Sequence, residues 1–249
     1  MSTQRSYKAR GVVLRGRNLG EADRIVTLFT LEHGKIDAVA KGIRRAKSRL
    51  AGRLEFGNEV QLTMHRGRSL DVVVTADIVS EHWSAIVEPA RFAVASVAGE
   101  MIDAFCEPEL ALPDVYALLV GMLSATAASS EPAVLLPRFS MRLLEALGLA
   151  PPVDFCVRCG KPLGGTRVWL DAEAGGLIDD SCRERWRVLS ELEEADIENL
   201  RALATARNTE GRAALRAKPK VADAISLLVT HHLGRRPKSE VALQELYRR

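Results

Sequence analysis

The spacing of apolar residues changes once along this 249-residue chain, and that change limits what it can fold into. In roughly the first eighty residues apolar positions alternate or form short β-branched runs, the pattern of strands. From Glu88 onward they recur every three to four positions, and Ala, Leu and Met replace Val and Ile, the pattern of helices. An α+β chain follows, β-rich first and helical after.

The first part reads as five strands separated by Gly, Asn and Asp signals: Tyr7–Arg15, Arg24–Thr30, Lys35–Ala40, Glu59–His65 and Leu70–Ser80. His33-Gly34 and Arg66-Gly67-Arg68 supply turns. Five such strands suit a small closed barrel, of which the OB-fold is the version that commonly binds oligonucleotides; an SH3-like barrel fits almost as well. Helices are expected at Pro89–Cys106, Pro113–Ala128, Pro132–Leu147, Leu189–Arg207, Val221–Leu233 and Glu240–Tyr247, three of them opening on proline, which a first turn tolerates. The helical pattern breaks between Ala150 and Arg187, where three of the four cysteines and two Gly pairs mark a small module with little core of its own. The expected parts are residues 1–82, a basic barrel; 83–150 with 187–249, a helical domain; and 151–186, an insert.

Charge is unevenly shared. Residues 1–80 carry 15 Lys and Arg against 8 Asp and Glu, while the remainder carries 20 against 24. Lys41–Arg53 alone holds six cations and no acid, a local field that attracts phosphate polyanions or, on the plainer reading, a solvated loop.

The insert holds Cys156-Val-Arg-Cys159-Gly160, a knuckle whose spacing lets two thiolates reach one tetrahedral ion. About twenty residues on, Asp179 stands three positions before Cys182, where a ribbon would place its third cysteine. Three readings stay open: a zinc ribbon on Cys156, Cys159 and Cys182 with Asp179 or Asp180 as fourth ligand; a ribbon that folds without metal; or a redox thiol pair. Cys106 lies on an apolar helix and reads as a buried small hydrophobe.

Catalytic motifs are missing. Gly11 to Asn18 has the glycine spacing of a phosphate loop but lacks its Lys-Ser/Thr, and no G-x-S-x-G, H-E-x-x-H or dinucleotide fingerprint occurs. His231 and His232 are adjacent, so on a helix they diverge by about 100° and cannot share a metal. A non-enzyme is expected. No run of eighteen uncharged apolar residues exists and the N-terminus lacks a signal-like apolar core, so a cytosolic location without membrane contact is expected.

Several segments taken together resemble the RecO family of bacterial recombination and repair proteins. Arg10-Gly-Val-Val-Leu-Arg15, Leu19 to Leu28 and His33-Gly-Lys35 through Gly42 look like its N-terminal OB-fold. Arg142 to Pro151 running into Cys156-x-x-Cys159-Gly160 looks like the helix that leads into its zinc ribbon. Gly175-Gly176 resembles the approach to the second cysteine pair, and Leu233 to Ser239 the closing helical segment. The resemblance implies a bacterial cytoplasmic, nucleoid-associated protein that binds single- and double-stranded DNA and anneals complementary strands. It also implies engagement of the C-terminal tail of the single-strand-binding protein SSB and, with RecR, help in loading RecA.

On this reading Arg15, Arg17, Arg24, Lys35, Lys41, Arg44, Arg45, Lys47, Arg49 and Arg53 supply most of the DNA-facing field, mainly toward phosphate. Tyr7, Phe29 and Phe56 are the barrel's aromatics. Arg138 and Arg142, one turn apart beside Leu135, Leu136 and Phe139, are the candidates for the acidic, apolar SSB tail, against the plainer reading of an ordinary amphipathic helix.

Overall fold

In the computed structural model, which describes residues 5–163, 167–184, 190–205 and 215–247, five strands close into a barrel. They are β1 (Ser6–Leu19), β2 (Asp23–Thr30), β3 (Gly34–Ala40), β4 (Glu59–His65) and β5 (Asp71–Ser80). The order is β1-β2-β3-β5-β4, antiparallel throughout except where β3 and β5 meet in parallel at Ala38↔Asp71 and Val39↔Val72. This parallel closure makes the barrel an OB-fold.

Alternation explains the core. Val13, Val26, Leu28, Leu62 and Met64 point inward and are at most 1% exposed. On β2 the other face is buried as well, because helices cover it: Phe29 is fully buried, with its ring 6.3 Å from that of Tyr116. Turn geometry closes the β2–β3 hairpin. Gly34 has a φ of +65°, and a Cβ there would lie 2.1 Å from the carbonyl oxygen of Leu110, so the position excludes any side chain.

Two compact units form, one of residues 1–132 with 238–249 and one of residues 133–237. The sequence divisions near 82, 150 and 187 mark changes of pattern, whereas these units group what packs together. In the first unit the barrel is joined by α1 (Trp83–Ile86), α2 (Pro89–Phe105), α3 (Pro113–Ala128) and α7 (Lys238–Tyr247). Helix α7 is held on α2 by Glu100, whose carboxylate accepts from the N–H groups of Lys238 (3.0 Å) and Ser239 (2.9 Å) at the start of α7. A carboxylate there also complements the helix dipole. The short α1 was not expected. Asn58 creates it by accepting from the N–H groups of His82 and Trp83, both at 3.0 Å.

The second unit contains α4 (Leu136–Ala146), α5 (Glu194–Thr205), α6 (Pro219–Leu233) and a three-stranded antiparallel sheet. Its strands are β6 (Arg167–Asp171), β7 (Gly176–Asp179) and β8 (Ser190–Glu193), in the order β7-β6-β8. Two expectations change here. The helix expected over Pro132–Leu147 is a 3-10 turn, Pro132–Leu135, followed by α4, because Pro137 has no N–H to continue the ladder. The helix expected from Leu189 to Arg207, two residues that lie outside those described, is preceded by β8. Leu192 of β8 is fully buried against β6, opposite Val168. The insert also has more core than its composition suggested, since Val168, Leu170 and Leu177 are fully buried. Among the described residues no helix is long and apolar enough to cross a membrane.

Candidate nucleic-acid interface and cysteine cluster

The basic run forms the loop between β3 and β4, and the barrel core fixes it at both ends. Ile43 and Leu54 reach into that core, 3% and 1% exposed, while the cations between them face out. Its start is tied to the β1–β2 turn: Gly42 N–H donates to Asp23 (2.7 Å), Arg44 N–H to Ala22 (3.0 Å) and the Arg44 guanidinium to the Gly20 carbonyl (3.2 Å). Loop and turn therefore make one continuous surface.

The ten cations expected to face DNA divide into two sets. Arg17, Lys41, Arg44, Arg45, Lys47 and Arg49 are exposed, and among the described residues none of them forms an ion pair. The other four are matched by acids. Arg15 (2.8 Å) and Lys35 (3.4 Å) both pair with Asp103 of α2, Arg53 with Asp77 (3.1 Å), and Arg24 loosely with Glu55 (3.9 Å). Arg53 also donates to the carbonyl of Ala76 at 2.7 Å. Beside Arg15 and Lys35 lies a crevice of about 380 Å³ whose lining includes Asp37, Asp71, Asp103 and Glu109. Four acids against two cations repel phosphate there. Of the ten cations, the set without ion pairs thus lies on the loop and the β1–β2 hairpin, on which Arg17 sits.

Between the barrel and α3, Glu59, 1% exposed, accepts from Arg10 and from the Tyr116 hydroxyl, each at 2.8 Å. Sequence reading missed Asn58, Glu59 and Asp103. A Gly-Asn pair before β4 was the one local signal for Asn58; Glu59 and Asp103 acquire their roles only through partners far along the chain.

In the second unit the knuckle folds back on the sheet. Cys156 N–H donates to Lys161 O (2.8 Å) and Val157 N–H to Leu177 O (2.9 Å). Gly176 allows the approach, since a Cβ there would meet Val157 at 2.6 Å. The sulfurs of Cys156, Cys159 and Cys182 converge within 4.8 Å of one another, and all three are free thiols. Burial pushes the Cys156 thiol up, but the N–H groups of Asp179, Cys159 and Arg158 outweigh it and bring the thiol down to about 7. Three sulfurs at this separation, one of them easily ionised, can hold a thiophilic metal ion.

The fourth donor is not where the spacing put it. Asp179 accepts from the N–H and hydroxyl of Ser181, both at 3.2 Å, and caps the 3-10 turn Asp180–Cys182. Asp180 accepts from the Trp169 indole at 2.9 Å. Neither carboxylate joins the sulfurs. Asp179 contributes instead through its backbone, whose N–H donates to the Cys156 sulfur at 3.4 Å. Asp179→Asn, which keeps that N–H and the cap, is accordingly expected to leave Co²⁺ affinity within about threefold, while Cys156→Ser lowers it roughly tenfold or more. A Co²⁺ titration followed by thiolate-to-metal absorption reads both. Loss of binding in Asp179→Asn would contradict this geometry.

Elsewhere, burial raises the thiol of Cys106, itself 2% exposed, to about 11, in keeping with a buried hydrophobe. On α4, Arg138 and Arg142 are half-buried, and Arg142 pairs with Glu145 at 3.2 Å. Phe139 is turned into the core at 3% exposure, leaving Leu135 and Leu136 as the partly exposed apolar neighbours.

Residues 1–82 match the family model described as "Recombination protein O N terminal", and residues 88–240 match "Recombination protein O C terminal". Among curated proteins, the DNA repair protein RecO of Frankia casuarinae is 40% identical over 183 residues, covering 71% of this chain and 73% of that one. The DNA repair protein RecO of Bifidobacterium longum is 42% identical over 175 residues (69% and 72%), and that of Thermobifida fusca 35% over 182 residues (71% and 73%). With both halves matched in order, an OB-fold barrel in front and a cysteine cluster in the second unit, the chain belongs to the RecO family of DNA repair proteins.

Proposed function

We propose that the protein acts without catalysis as a DNA-binding recombination mediator that anneals complementary single strands. With RecR it helps RecA load onto single strands coated by SSB, in the bacterial cytoplasm at the nucleoid. The observation that carries this reading is the exposed loop bearing Lys41, Arg44, Arg45, Lys47 and Arg49 without ion pairs, pinned beside Arg17. Such a surface grips phosphates of single or double strands and leaves base edges free, so two strands can be held together without competition for their pairing.

The cysteine cluster then holds zinc with three protein thiolates as a structural ion. Arg138 and Arg142 on α4 are the site offered to the acidic SSB tail, with Leu135 and Leu136 beside them. A phosphate-directed surface does not of itself distinguish DNA from RNA. Equal-length single-stranded DNA and RNA should therefore be compared at one salt concentration, with annealing of complementary DNA strands followed by fluorescence transfer. Faster annealing than in the absence of protein is expected. Binding of RNA alone, or binding of DNA without annealing, would sink the reading.

A further inference from the structure

The basic loop ends in an aromatic cluster that phosphate binding leaves unexplained. Phe56, at the end of the loop, lies 5.6 Å from Phe92 with ring planes at 70°, and Trp83 lies 6.2 Å from Phe92 at 84°. Phe92 is 41% exposed and the neighbouring Val87 52%. Large apolar residues this exposed, gathered in one place, mark a binding surface more often than chance.

The cluster is held firmly. Glu88 caps α2 by accepting from Ala90 (3.2 Å) and Arg91 (3.1 Å), and Arg91 donates to the carbonyl of Ser129 at 3.2 Å, fixing the turn that carries Phe92. Gly99 lets Phe56 lie against α2, since a Cβ there would stand 3.2 Å from its ring. Asn58 joins cluster and loop: its amide N–H donates to Gly52 O (3.2 Å) while its oxygen accepts from Trp83 N–H (3.0 Å). The backbone that carries Trp83 is thereby tied through Asn58 to Gly52 of the basic loop.

We propose that Phe92, supported by Trp83 and Phe56, is a stacking platform for an unpaired nucleobase of the strand whose phosphates the loop holds. The proposal rests on the DNA-binding reading above and adds strand selectivity to it. Every base has a π-face, so a platform beside a cationic track binds single strands with little sequence preference. In a duplex the bases are already stacked, and the platform is idle. This surface therefore separates single from double strands, which the phosphate contacts do not. An apolar protein partner is the competing occupant, but the continuous cationic loop favours a polyanion.

The test uses the full chain, fluorescent oligo(dT), and a duplex of equal length, titrated over a range of salt. Phe92→Ala weakens oligo(dT) binding by about 5- to 100-fold with an unchanged log–log salt slope, and leaves duplex binding within about twofold. Phe92→Leu keeps apolar volume but has no π-face, so it loses the same affinity while folding like the parent; Phe92→Tyr restores binding. Equal losses for single strand and duplex, no loss in either variant, or a loss confined to a protein partner each overturn the platform. Failure of the parent protein to bind either form of DNA would instead overturn the DNA reading on which the platform stands.

Discussion

Replacing Arg44, Arg45, Lys47 and Arg49 together with alanine lowers single-stranded DNA affinity by about 100- to 1,000-fold near 0.1 M salt, and flattens the log–log salt slope by about three. Each phosphate neutralised on a single strand releases about 0.7 of a counterion, so four lost contacts remove nearly three from the slope and a comparable number of decades from affinity. These four side chains are exposed and without ion pairs among the described residues, so their full charge is available. Arg15→Ala with Lys35→Ala is the matched control. Both cations already share Asp103, beside a crevice with a net acidic lining, and their loss should change the slope by less than about one. The result that sinks the division is equal flattening by the two variants. An unchanged slope in the loop variant would move the interface off the loop altogether.

That division was only half legible in the sequence. The run from Lys41 to Arg53 announces itself because six cations occur without an acid. Which cations are neutralised depends on chain crossings that no local pattern records: Asp103 reaches Arg15 from 88 positions away, and Asp77 reaches Arg53 across 24. The barrel was readable for the opposite reason. Its inward residues recur mostly with period two, broken only at β-bulges, so the five expected strands lie within two residues of the observed ones at nearly every end; β1 runs on to Leu19 because it pairs with β2 as far as Asp23.

Two of the three helices expected to open on proline, at Pro89 and Pro113, were equally plain, since proline marks a first turn. Errors gathered in the second unit, where strands are only four or five residues long. In Ser190–Glu193 a single buried Leu192 carries the strand signal, and its spacing to Ile197 and Leu200 of α5 also fits one continuing helix. Tertiary pairing with β6 decides in favour of the strand. Asp179 misled in a related way. Spacing placed it correctly next to the sulfurs, but Ser181 turns its carboxylate away and leaves only its N–H directed at Cys156.

The second large effect concerns the carboxylate buried between the barrel and α3. Glu59→Ala is expected to cost about 1–3 kcal/mol, the range for leaving a buried hydroxyl without its partner and opening a small cavity. The carboxylate is 1% exposed and accepts from Arg10 and Tyr116, so its removal leaves the buried Tyr116 hydroxyl without its acceptor and opens a cavity, while the Arg10 side chain, 43% exposed, turns to water. Roughly 3–10 °C should be lost from the midpoint of the first unit. Glu59→Gln fills the same space and costs less, which separates charge from volume. Burial by itself raises the Glu59 carboxyl, but the hydrogen bonds from Arg10 and Tyr116 outweigh it and hold the group below its ordinary value of 4.5. A depressed carboxyl contributes stability that is fully present above that value and drains away as pH falls toward the folded-state value. Urea midpoints taken from pH 7 down to 3 should therefore show a drop below about 4.5 in the parent that is smaller in Glu59→Gln. Parallel pH profiles in the two proteins would show that Glu59 is not the group holding α3 to the barrel through charge, and that packing alone does so.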